Sequence, residues 1–173
     1  MVDFLKNIAE QLRAYTPYIT GSQLASLIAV KGIPGPTEQA GDPPFSGSDG
    51  LALDKAFGRL GWGFGSQNTR TWFGIVLSIP NQAMLPTRDL RLVCEIVDPL
   101  AIVALDDPAR LALIEAFTSE NNNIMADFSS GAETHISGRH FISVEGFETA
   151  LLNEASKQKA WAQLKRSKRI SRW

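Results

Sequence analysis

The chain has 173 residues, 44% of them hydrophobic, and carries 17 Lys and Arg against 18 Asp and Glu, which predicts one globular domain, residues 1–173, with its own core. The single cysteine, Cys94, excludes a disulfide framework within the chain and any four-cysteine metal or iron–sulfur site. Since no apolar run reaches the length of a membrane span and no signal-peptide core follows the N-terminus, we expect a cytoplasmic protein with no membrane partner.

The charge is unevenly distributed along the chain. Residues 157–173 form a basic C-terminal tail with seven Lys and Arg and no acidic side chain, which leaves 10 basic against 18 acidic side chains elsewhere. The tail has two interpretations. It binds the phosphates of a nucleic acid, or it is a solvated helix end, where cations are favoured.

Hydrophobic periodicity predicts helices alternating with strands. Residues 3–15, 51–60 and 87–97 have helical spacing, Pro108 opens another helix, and a final helix runs from Phe147 into the tail. Short apolar runs at residues 26–30, 70–79, 100–105 and 141–144 are typical of buried strands. This alternation predicts a three-layer α/β/α fold around a central, mainly parallel four-stranded sheet.

A loop rich in glycine and proline follows the first of these strands. Residues 26–50 read SLIAVKGIPGPTEQAGDPPFSGSDG, an apolar run and then many glycines and prolines. After the strand, Gly32, Pro34, Gly35 and Pro36 exclude regular structure and predict a rigid turn. Open α/β sheets bind ligands at the carboxyl ends of their strands, where such a loop lies. The alternative is an ordinary surface loop.

Three segments carry a resemblance to a known family. Residues 34–38 (PGPTE) with 44–50 (PFSGSDG), residues 99–105 (PLAIVAL) and residues 157–165 (KQKAWAQLK) occur in this order. They resemble, in turn, the first motif, the P-x-V-I-V-A-L-G strand and the closing K-x-x-x-W-x-x-L-K helix of the uracil-DNA glycosylase superfamily, families four and five above all. The resemblance covers about residues 24–165 and implies that fold.

The catalytic residues of the family are not matched. The resemblance places the residue that activates water on Gly32 or, shifted by one, on Ile33, and the residue that reads uracil near Gly74 or, with a slip, at Asn68. A glutamate, Glu145, stands where the family has a histidine that stabilises the departing base.

A base-binding site is nevertheless implied at the first loop. Gly32, Ile33, Pro34, Gly35, Phe45 and Gly74 are the predicted substrate-binding residues, and the Phe45 ring is expected at the mouth of the sheet, stacked on a base. The alternative places Phe45 in the core. A fixed polar pair around Phe45 would favour an enzyme over a binding protein.

Two carboxylates are the candidate catalytic residues. We expect Glu38 and Glu145 on the rim of the sheet, where a partly desolvated carboxylate acts as a general base; the alternative is a set of solvated rim acids. His135 and His140 lie five residues apart, a spacing that is no recognisable metal motif. They are surface or structural residues, or a rearranged loop brings one of them to the position of the family histidine that stabilises the departing base. We predict no cofactor and no metal.

Three functions remain open from the sequence. The first is a divergent glycosylase that cleaves the N-glycosidic bond of a modified base in DNA. The second is a catalytically silent relative that binds a base, nucleotide or nucleic acid. The third is a hydrolase of small nucleoside-like molecules that uses the rim carboxylates. The predicted partners are accordingly DNA or a nucleobase or nucleotide.

Overall fold

The computed structural model describes residues 2–63, 70–118 and 127–169. Its helices are α1 (Val2–Leu12), α2 (Pro36–Gln39), α3 (Ser48–Leu60), α4 (Thr87–Val97), α5 (Asp107–Phe117), α6 (Phe147–Ala150) and α7 (Glu154–Leu164). Its strands are β1 (Ile19–Gly21), β2 (Leu27–Lys31), β3 (Phe73–Val76), β4 (Ala101–Ala104), β5 (Glu133–Ile136) and β6 (Arg139–Ser143). Tight 3-10 turns, Arg13–Tyr18 and Lys165–Arg169, extend α1 and α7.

The strands form one mixed sheet in the order β1-β3-β2-β4-β6-β5. The inner strands β3, β2, β4 and β6 run parallel to one another, whereas β1 and β5 lie antiparallel at the two edges. The four predicted strands are therefore neighbours in one sheet, as expected. The sheet has six strands rather than the expected four, because two short antiparallel strands that the sequence did not predict, β1 and β5, form its edges.

Helices flank both faces of the sheet. One apolar cluster joins α1, α4 and α5 to side chains such as Ile28, Ile75 and Ile102, and the other joins α3, α6 and α7 to residues such as Ala29 and Val103. Alternate residues of each strand point to opposite faces, so β2 and β4 contribute to both clusters and are buried throughout. In the described part of the chain, no helix combines the length and apolar character needed to cross a membrane.

The parallel strands bring distant segments of the chain to one edge. β2, β4 and β6 end side by side, because Leu27–Lys31 pairs in parallel register with β4, and β4 pairs in the same way with β6. The loops after these strands begin at Gly32, Leu105 and Val144. They meet at the carboxyl edge of the sheet, where ligands bind in open α/β folds.

Candidate functional site

A pocket of about 750 Å³ opens at this carboxyl edge. Its wall contains Ile33, Pro34 and Gly35 from the loop after β2, and the segment around α6. The ionisable side chains that line it are Lys31, Asp49, Asp106, Asp107, Glu145 and Glu148. Five of these six side chains are carboxyl groups and one is a lysine.

Three buried ionisable residues form the floor of this region, and we call them the charge cluster: Lys31, Glu38 and Asp49. The Lys31 Nζ lies 2.8 Å from Glu38 Oε1 and 2.6 Å from Asp49 Oδ2. None of the three side chains is more than 3% exposed. Burial opposes the charge on Lys31, but hydrogen bonds to Asp49 and Glu38 outweigh it and raise the pKa of the lysine.

Glu38 is held as a carboxylate by several donors. It accepts hydrogen bonds from the Gly35 N–H at 2.9 Å and the Phe45 N–H at 2.7 Å, besides the lysine. Burial alone would raise the pKa of Glu38, but the bonds from Lys31 and the Phe45 N–H outweigh burial and hold that pKa below its ordinary value. Glu38 therefore fixes the loop between β2 and α3 and does not line the pocket.

Two further carboxyl groups, Glu145 and Glu148, stand on the pocket wall, and we call them the wall carboxyls. Glu148 Oε2 lies 3.7 Å from the Lys31 Nζ, and its side chain is 32% exposed. Burial raises the pKa of Glu148; Asp49 and Glu38 raise it further, and Lys31 opposes them. Glu145 Oε2 lies 2.5 Å from the Nζ of Lys159, and the Glu145 N–H donates to Gln163.

Asp106 fastens the first loop to the neighbouring strand. Its carboxylate accepts hydrogen bonds from the N–H groups of Gly32 and Ile33 at 2.9–3.0 Å, and it also caps α5 through the Ala109 N–H. A side chain at Gly32 would collide with Pro108, and one at Gly35 with Glu148. Packing against α5 therefore requires glycine at position 32.

The structure brings together half of the predicted site residues. Ile33, Pro34, Gly35 and Glu145 line the pocket. Gly32 lies behind them against α5, and Gly74 lies within β3. Asn68, the alternative to Gly74, lies outside the described residues.

The prediction that the Phe45 ring lies open at the mouth of the sheet is wrong. The ring is fully buried, edge-on to Trp72 with centroids 5.1 Å apart, and it packs on the Cα of Gly74, where a side chain would meet it. The Lys31 Nζ lies 4.8 Å from the ring centroid. The expectation that Glu38 is a rim carboxylate is also wrong, since the loop covers it completely.

Sequence reasoning missed Lys31, Asp49 and Glu148. The usable signal was the lysine, because a charged residue that ends a strand buried on both faces requires a buried counter-ion. Nothing in the local sequence identifies Glu148 as its neighbour, since the two residues are 117 positions apart.

The histidines and the basic tail lie away from the pocket floor. His135 and His140 are directly opposite each other on the hairpin of β5 and β6. Among the described residues, no group of three or more His, Cys, Asp and Glu is arranged to hold a metal ion. In the tail, residues 157–169 belong to α7 and its last turn, where Ser167 is buried and accepts a hydrogen bond from Trp62 Nε1 at 3.0 Å. Residues 170–173 lie outside the described part.

No protein-family model matches this sequence, and no curated protein matches it at a significant level. The resemblance to uracil-DNA glycosylases thus stays a prediction carried by the three motifs.

Proposed function

We propose that the pocket binds a small nucleoside-like molecule without net negative charge, and that the protein hydrolyses its N-glycosidic bond with Glu148 as the acid. One observation carries this proposal. Glu148 is a partly exposed carboxyl group on the pocket wall whose pKa is raised by burial and by the neighbouring carboxylates of the charge cluster. A carboxyl group whose pKa is raised holds its proton to a higher pH than an ordinary glutamate does, which suits it to general acid catalysis.

The wall carboxyls supply the two proton transfers that the reaction needs. Glu148 donates its proton to the departing base as the N-glycosidic bond breaks, while a water oxygen bonds to the sugar carbon. The proton released by that water passes to Glu145, which lines the same pocket. The carboxylate left on Glu148 then faces Lys31 across 3.7 Å, an attraction that stabilises the charge formed in the reaction.

The charge of the pocket favours a ligand that carries no phosphate. Carboxyl groups outnumber the one lysine among the residues that line the pocket, and Lys31 is already bound to Glu38 and Asp49, so the pocket offers an anion little attraction. Two basic side chains of α7 and its last turn are also engaged locally, because Lys159 pairs with Glu145 and Arg166 donates to the Gly131 carbonyl. These features support a free nucleoside over a nucleotide or DNA, although a DNA glycosylase would cleave the same bond.

The test measures release of free base by chromatography. Purines and pyrimidines are offered both as nucleosides and within oligonucleotides that contain uracil, hypoxanthine or xanthine. We expect release from a nucleoside, reduced about 10²–10⁴-fold in Glu148→Gln, as for loss of a general acid. The control is Glu10→Gln, which removes a side chain that is 74% exposed on α1.

Each other outcome selects a different function. Release from oligonucleotides alone would support a DNA glycosylase. Saturable binding of a base or nucleoside without release would support the silent relative. Unchanged release in Glu148→Gln would remove Glu148 from the mechanism.

A further inference from the structure

The hairpin of β5 and β6 holds the two histidines of the chain side by side. His135 and His140 are register partners, and their ring centroids lie 4.4 Å apart with the rings tilted by 48°. The hairpin turn fixes this pairing, because Ser137 and Gly138 both have positive φ, 51° and 79°, as a tight two-residue turn between twisted strands requires.

The pair is accessible and separate from the pocket. His135 is exposed on the edge strand β5, and His140 is half-buried on the neighbouring strand β6. His140 stands at the start of β6, whereas the pocket lies beyond the other end of that strand. Glu133 precedes His135 by two positions and so points to the same side of the hairpin, which adds negative charge near the rings.

We propose that His135 and His140 bind one divalent transition-metal ion through both imidazoles, with water completing the coordination. Imidazole is a preferred ligand of Zn²⁺, Ni²⁺ and Cu²⁺, whereas Mg²⁺ requires oxygen ligands. The strand register holds both rings in place before the ion arrives, so the second imidazole binds as an intramolecular ligand. The ion would thereby tie the outermost strand of the sheet to β6.

The chain suits a clean test, because these are its only two histidines and its one cysteine is buried. The untagged full-length protein is titrated with Cu²⁺ and with Zn²⁺ by calorimetry, with Mg²⁺ as the negative control. We expect one ion per chain and about a 10²-fold loss of affinity when either ring is removed in His135→Gln or His140→Gln. Glu154→Gln, an exposed acid on α7, is the matched control and should bind as the unaltered protein does.

A second measurement on the unaltered protein keeps the test independent of the folding of the variants. Electron paramagnetic resonance of the Cu²⁺ complex should show two coordinated imidazole nitrogens, and thermal unfolding should shift upward with metal. Binding that persists unchanged in both variants, or a spectrum with fewer than two imidazole nitrogens, would overturn the proposal.

Discussion

The charge cluster and the pocket wall place glutamates around the same lysine, yet their pKa values move in opposite directions. Glu38 is almost fully buried and its pKa is lowered, whereas Glu148 is 32% exposed and its pKa is raised. The difference lies in the donors. Glu38 accepts hydrogen bonds from Lys31 and two backbone N–H groups, while Glu148 faces Lys31 at 3.7 Å together with two competing carboxylates.

The two glutamates have different roles: Glu38 stabilises the fold, and Glu148 is the proposed catalytic acid. Hydrogen-bond donors, rather than depth of burial, decide which carboxyl group is a fixed anion. The fixed anion, Glu38, holds the first loop on the sheet. The wall carboxyl Glu148, whose pKa is raised, is the group that we propose as the proton donor.

The largest expected effect comes from removing the shared cation. Lys31→Met leaves Glu38 and Asp49 buried without a counter-ion, which should lower the free energy of unfolding by an amount near the upper end of about 3–5 kcal/mol. Urea denaturation at neutral pH measures it. The matched control is Lys159→Met, whose exposed pair with Glu145 should cost only about 0–1 kcal/mol. An equal loss of unfolding free energy in the two variants would mean that the charge cluster does not stabilise the fold.

Phe45→Ala should have the next largest effect. The buried ring fills the space between Lys31, Trp72 and Gly74, so its loss creates a cavity and should cost about 3–4 kcal/mol of unfolding free energy. The affinity of any nucleoside ligand, measured on the folded fraction, should change little, because Phe45 does not line the pocket. A stable variant with weakened nucleoside binding would instead indicate that the Phe45 ring stacks on the base of the ligand. Phe45→Leu, which retains most of the volume, is the control.

The smallest effects test the opposite pKa shifts through the pH dependence of stability. Because the folded pKa of Glu38 is lowered, its contribution is present above its ordinary pKa of 4.5 and is lost as the pH falls through the folded value. Because the folded pKa of Glu148 is raised, its contribution is present below 4.5 and is lost as the pH rises through the folded value.

The two amide variants should therefore differ in sign. Glu38→Gln should be less stable than the unaltered protein at pH 7 by about 1–3 kcal/mol, because the buried ion pair with Lys31 is lost. This difference in unfolding free energy should shrink as the pH falls. Glu148→Gln should be at least as stable at pH 7, with an advantage that disappears in acid. Unfolding free energies measured from pH 7 to pH 3 check both. Parallel pH profiles for the two variants would contradict the comparison.

The sequence predicted the framework well because local patterns determine it. Buried parallel strands read as short apolar runs, and the runs at residues 26–30 and 100–105 became the neighbours β2 and β4. The spacing at residues 87–97 predicted α4 with the observed bounds. The edge strands escaped detection, because β1 has only three residues and β5 is half-exposed, so neither carries a continuous apolar signal.

By itself, the sequence determined that apolar strands alternate with helices and that a loop rich in glycine and proline leaves the first buried strand. Only the tertiary structure decided which polar residues meet there. Lys31 has Glu38 and Asp49 as buried partners and Glu148 as a neighbour. Phe45 packs in the core against Trp72 and Gly74. The physical reason is that periodicity is a local property of the chain, whereas burial and pKa depend on groups that the fold brings from distant positions.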